Sequence, residues 1–154
     1  MAEVVGEERL ALPPGDSSAQ RLAESEILAA LGVRLGVPLS PRRITLASGA
    51  YVEIDGVSDD PEILCEAWAH QGAPKAAQRD KVLADAFKLA FLRRVRSPGA
   101  RLVLCFVDAL AVKPFIGSSW YADALRDLHI QVECVDLPDE VRELIRQAQT
   151  AQFR

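Results

Sequence analysis

Two acidic residues stand where apolar ones are expected. In YVEIDG, residues 51–56, Asp55 closes a run that alternates like a β-strand. In EILCEAWAH, residues 62–70, Glu66 sits among Ile63, Leu64, Cys65 and Trp68. Charged groups inside a sheet need a partner or a task. Strand side chains alternate faces, so Glu53 and Asp55 share one face, and Glu66, Trp68 and His70 share another. A short turn between antiparallel strands brings Asp55 and Glu66 into one cluster. Paired carboxylates repel and resist burial unless a divalent cation lies between them. Magnesium, with manganese as a substitute, suits such a pair: one or two carboxylates hold it, with waters and substrate phosphate oxygens completing the shell. It can activate a water and stabilise the charge on a cleaved phosphodiester, and a nearby lysine would position that water or neutralise the charge.

Around this pair the chain divides into short elements. Residues 1–17, with Pro13, Pro14 and Gly15, read as a flexible N-terminal arm, and 18–154 as a single domain. Leu22, Ile27, Leu28 and Leu31 recur at helical spacing, with Gly32 as a stop. Residues 42–48 and 51–56 form a hairpin around Gly49 and Ala50, SDDPE makes a second turn, and 62–70 make a third strand. A long amphipathic helix follows over 74–95. Its Lys81, Asp85 and Lys88 fall at i, i+4 and i+7 and so share one face, with Gln78 one turn earlier. The apolar run 101–109 reads as a strand covered on both faces. A helix over 118–128, a strand over 129–137 and a helix over 139–149 complete the chain. The order α-β-β-β-α-β-α-β-α predicts an α/β fold, a mixed β-sheet flanked by helices.

The α-β-β-β-α-β order over residues 18–109, with Asp55 ending the second strand and Glu66 inside the third, resembles the PD-(D/E)XK nuclease superfamily, the restriction-endonuclease-like fold. The resemblance implies that Asp55 and Glu66 are metal ligands, that Glu26 on the first helix assists, and that the last helix, strand and helix are a peripheral α-β-α extension. The chain departs from the pattern at one point: EAW puts Trp68 where the family has its lysine. A lysine on the following helix substitutes in some members. Lys81 is the first candidate for that catalytic place, ahead of Lys75 and Lys88. Gln78, Lys88 and His70 are then expected at the substrate. Trp68 either fills the vacated position with apolar bulk or stacks on a nucleobase.

The remaining signals are weaker. The formal net charge of −4 and pI near 5.2 do not favour nucleic-acid binding by the whole molecule. Basic residues nevertheless cluster at Arg42 and Arg43, at Lys75, Arg79, Lys81 and Lys88, and in the RRVR of residues 93–96. Cys65, Cys105 and Cys134 lie in apolar runs without CxxC spacing, as buried thiols rather than disulfide or zinc ligands. Gly117, Ser118 and Ser119 read as helix capping before phosphate binding. Asp108 reads as a turn former, and His129 as a strand start without chemistry. No run spans a bilayer and the acidic N-terminus lacks a signal-peptide pattern, so a cytoplasmic protein without membrane contact is expected. Three functions remain open: a magnesium-dependent nuclease acting on DNA or RNA, alone, as a homodimer or in a larger complex; a catalytically inactive binding or regulatory module of that fold; and a small α/β interaction protein whose acids pair with arginines.

Overall fold

A computed structural model describes residues 18–151. The expected arm over 1–17 lies outside the described residues. The elements run α1 (Ser18–Leu35), β1 (Ser40–Thr45), β2 (Tyr51–Asp59), β3 (Glu62–Trp68), α2 (Ala76–Val95), β4 (Arg101–Phe106), α3 (Ala109–Ile116), α4 (Trp120–Asp127), β5 (Ile130–Cys134) and α5 (Asp139–Ala151). The five strands form one sheet in the order β1-β2-β3-β4-β5. The first three pair antiparallel, and β3–β4 and β4–β5 pair parallel. The fold is α/β, with a mixed sheet flanked by helices, as the element order predicts. Among the described residues no helix is long and apolar enough to cross a membrane.

Alternation along the strands sets the layers. Leu64 and Trp68 of β3, with Leu102, Leu104 and Phe106 of β4, pack against Val82, Ala86, Leu89 and Leu92 of α2 and against Phe115 and Leu125 of α3 and α4. Ile63, Cys65, Val103 and Cys105 point the other way, onto Ala23, Ile27 and Leu31 of α1 and Ile145 of α5. β4 is therefore buried on both faces, which is why it reads as an unbroken apolar run. Each fully buried aliphatic side chain here contributes roughly 1.5–3 kcal/mol. Cys65 and Cys105 are buried, Cys134 is half-buried, and all three thiols are free.

Three expectations change. Gly32 does not stop α1: the helix continues to Leu35, and the left-handed residue is Gly36 at φ 77°, whose N–H donates to Gly32 O at 2.8 Å. Gly32 is needed for another reason, because a Cβ there would lie 2.8 Å from the carbonyl oxygen of Val37. β4 ends at Phe106; Val107 and Asp108 leave the sheet, and α3, which the sequence pattern did not mark, starts at Ala109. Asp108 caps that helix by accepting Ala111 N–H at 3.2 Å while also accepting Gly72 N–H at 2.9 Å. Finally, the C-terminal extension is integral: β5 adds a fifth strand, and α5 packs on α1's side of the sheet. Ser119 caps α4, accepting Ala122 N–H at 3.1 Å, in line with the capping reading of that segment.

The Gly32 contact sets one expected outcome. Alanine is favoured over glycine in helices by about 1 kcal/mol, yet Gly32→Ala should lower stability by about 1–3 kcal/mol, because the displaced atom is backbone. Urea denaturation of the two proteins decides it; an unchanged or raised midpoint would mean the α1–β1 loop yields freely.

Candidate active site

The cleft begins where two strands part. The β2–β3 register runs from Asp59–Glu62 to Gly56–Cys65 and stops there. On its other edge β2 stays paired with β1, but from Val57 to Ile54 it advances three residues against two of β1, Ser40 to Arg42. That extra residue is a β-bulge at Asp55 and Gly56, a device that re-aims a side chain. The Asp55 carboxylate then takes over from the interrupted ladder, accepting the Ala67 N–H at 2.9 Å. Gly56 lets α1 close in, since a Cβ there would sit 2.5 Å from Leu28 Cδ2 and 3.3 Å from Leu39 Cβ. A cleft of about 490 Å³ opens in the gap, walled by Gln20 and Glu24 of α1, Asp55 and Glu66, and Lys81, Asp85 and Lys88 of α2, with Ile145, Ala148 and Gln149 of α5 closing one end.

Glu66 lies on the same face of β3 as Leu64 and Trp68 and is 4% exposed. Lys88 Nζ stands 2.7 Å from Glu66 Oε1 and 3.9 Å from Asp85 Oδ1, and donates to the Glu53 carbonyl at 2.9 Å. The ammonium approaches Glu66 at an angle that leaves Oε1 without an aligned hydrogen-bond donor. Gln20 Nε2 donates to Glu24 Oε1 at 3.2 Å on the opposite wall. Trp68 and His70 stack with centroids 4.7 Å apart, and their Nε1 and Nδ1 atoms are shielded and unpaired. At the rim, the exposed Tyr51 ring carries the Arg43 guanidinium 4.1 Å from its centroid.

The cleft stores protons. Burial raises the Glu66 carboxyl to about 9; Asp55 adds to the rise and Lys88 offsets part of it. Burial also raises Glu24, reinforced by Asp55, and Asp85, opposed by Lys88. Burial pulls the Lys88 ammonium down, but Glu66, Asp85 and Asp55 together carry it above its ordinary value. His70 is lowered, by burial first and by Lys81 second.

Of the residues expected at the site, Asp55, Glu66, Lys81, Lys88 and His70 all line the cleft. The geometry differs from expectation at three positions. Lys88 rather than Lys81 reaches the acid pair: Lys81 lies two turns nearer the start of α2 and is exposed, whereas Lys88 lies level with Glu66. Gln78 is outside the cleft lining, its Oε1 accepting Lys75 N–H at 2.9 Å at the helix start. On α1 the cleft acid is Glu24 rather than Glu26, which lies roughly 200° further round the helix. The i, i+4 pair Gln20 and Glu24 was the available signal, and it lacks apolar periodicity to mark it. The walls from α5 carried no signal in the sequence. Among the described residues neither Asp55 nor Glu66 pairs with an arginine: Arg42 holds Asp59 at 2.6 Å and Arg43 holds Glu53 at 2.7 Å. Among the same residues no group of three or more histidine, cysteine, aspartate or glutamate side chains is arranged to hold a metal ion. Comparison with protein-family models, curated proteins and solved structures returned no match.

The Glu66 shift has a pH signature. Its folded carboxyl titrates near 9 and its unfolded one near 4.5. Between those values the folded state binds the extra proton, so stability is full below about 4.5, falls as pH rises and levels off above 9. Unfolding free energies from urea titrations at pH 5, 7 and 9 should therefore decline in the wild type more than in Glu66→Gln, by about a few kcal/mol at most. Parallel declines would place an ionised Glu66 in the neutral-pH fold.

Proposed function

We propose that the cleft is a divalent-cation-dependent phosphodiesterase site of the restriction-endonuclease-like kind, acting on nucleic acid. The observation that carries the reading is the convergence of Asp55, Glu66 and Lys88 from three successive elements on one cleft. The donor set suits magnesium: two adjacent carboxylates, one holding a proton for want of compensating charge, and a buried Glu66 Oε1 without an aligned donor. Asp55 and Glu66 would hold the ion, which when bound supplies activation of water and stabilisation of charge on the phosphodiester.

The chain's own groups account for the remaining work. Hydrolysis joins a water oxygen to phosphorus and breaks the P–O ester bond; one of the water's protons leaves to solvent, and the departing alkoxide takes a proton back from solvent to leave as an alcohol. Lys88, whose ammonium is favoured by Glu66, Asp85 and Asp55 against the effect of burial, neutralises negative charge gathering on the phosphate oxygens. It stands in for the strand lysine missing at Trp68, and Glu53 O fixes its direction. Lys81, exposed at the mouth, draws the polyanion in. Trp68 packs in the core cluster with Leu64 and Phe106 and, stacked on His70, forms part of the cleft wall. Among the described residues neither acid is clamped by an arginine, which favours this reading over a purely structural pairing of charges. A catalytically inactive binding module is the outcome left if cation binding survives and hydrolysis is absent.

Titration calorimetry with manganese, run beside cleavage assays on duplex DNA, single-stranded DNA and RNA, tests the proposal. The wild type should bind about one or two ions, and Asp55→Asn and Glu66→Gln should abolish both binding and cleavage while staying folded by circular dichroism. Lys88→Met should keep cation binding and lose roughly 10²–10³-fold in rate, and Lys81→Ala should lose less. Cation binding untouched by either carboxylate substitution would remove the site, and full activity in Lys88→Met would remove the lysine's role.

A further inference from the structure

The outer face of α2 carries a stripe that the fold leaves uncovered. Phe87 is 79% exposed, Phe91 43% and Val95 53%. Asp80, Ala84 and Arg94 on the same helix are also exposed. At 3.6 residues per turn these six positions fall within roughly 100° of arc, opposite Val82, Ala86, Leu89 and Leu92, which enter the core. The 4-3-4 spacing of Asp80, Ala84, Phe87 and Phe91 is that of a helix-pairing seam. Two adjacent phenylalanines in water mark an interaction surface rather than a scattered apolar residue.

We infer that this stripe pairs with the same stripe of a second copy, α2 against α2 in antiparallel register. The pattern is self-complementary about a twofold axis crossing the helix midway between Phe87 and Phe91. That axis sets Phe87 of each copy against Phe91 of the other and places Ala84, the smallest residue, opposite Arg94. The Arg94 guanidinium then lies one turn from Asp80 of the other copy. On the stripe itself Asp80 stands toward the start of the helix and Arg94 toward its end, so antiparallel pairing joins opposite charges. Parallel pairing would set like charges side by side. Lys81, Asp85 and Lys88 occupy the neighbouring arc, turned to the cleft, so the seam leaves both clefts open. The inference does not depend on the chemistry of that cleft.

Analytical ultracentrifugation of the full chain over about 1–100 µM tests it, since a two-helix seam is smaller than the roughly 800 Å² per partner of a tight interface. The expected result is a concentration-dependent dimer that becomes monomeric in Phe87→Glu, with circular dichroism and melting unchanged because the position is exposed. Asp80→Arg and Arg94→Asp should each weaken the dimer about three- to tenfold, and the two together should restore it. A wild type that stays monomeric, or a dimer indifferent to Phe87→Glu, overturns the interface. Failure of the double charge exchange to restore association overturns the antiparallel register.

Discussion

The cleft depends on one hydrogen bond, the Asp55 carboxylate accepting the Ala67 N–H. Where β2 and β3 part, each strand leaves backbone groups without a ladder partner, and a buried N–H left in that state costs about 1–3 kcal/mol. The bulge at Asp55 and Gly56 swings an acidic side chain into the gap and satisfies one of those groups. The sheet can then stay open without losing β3, whose other edge is held by β4 through six paired residues. Gly56 is the other half of the device, since it admits Leu28 of α1 against the bulge. One side chain thus both closes the ladder and brings a carboxylate to the side of Glu66.

Glu66 is poorly explained by stability. Its face of β3 continues Leu64 toward Trp68, and an apolar residue between them would extend the core without desolvating a charge. Replacing buried ion pairs with apolar side chains is often neutral or stabilising, so the Glu66–Lys88 pair is weak evidence of a structural role. Burial outweighs Lys88 and leaves the carboxyl holding a proton near neutrality. Local rules broken at one place, in a fold that obeys them elsewhere, point to function at that place.

Period and composition made much of the fold legible. The alternation of β2 and β3, the unbroken apolar run of β4 and the amphipathic spacing of α2 each reflect the burial of that element alone. α3 escaped because ALAVKPFI is apolar all round and contains Pro114, so it offers neither helical periodicity nor an uninterrupted pattern. The acids were legible for the opposite reason, being charges in runs that should bury. Which lysine meets them was not legible, because Lys81 and Lys88 share a face and only the placement of α2 along the sheet separates them. The bulge was invisible as well. It follows from the register of β1 against β2, a long-range relation that no local pattern encodes.

The same placement explains how an ammonium reaches Glu66 without coming from β3. From Glu66 to Trp68 β3 is paired only with β4. The Trp68 ring fills its position in the α2-side core and stacks on His70 at the cleft wall. At Glu66, α2 passes close enough for a four-carbon side chain to reach the carboxyl from outside the strand. Lys88 approaches with its stem against the half-buried helix surface and its ammonium among Glu66, Asp85 and the Glu53 carbonyl. Because the ammonium comes from a helix anchored by Leu89 and Leu92, its position is set by core packing rather than by the parted strands.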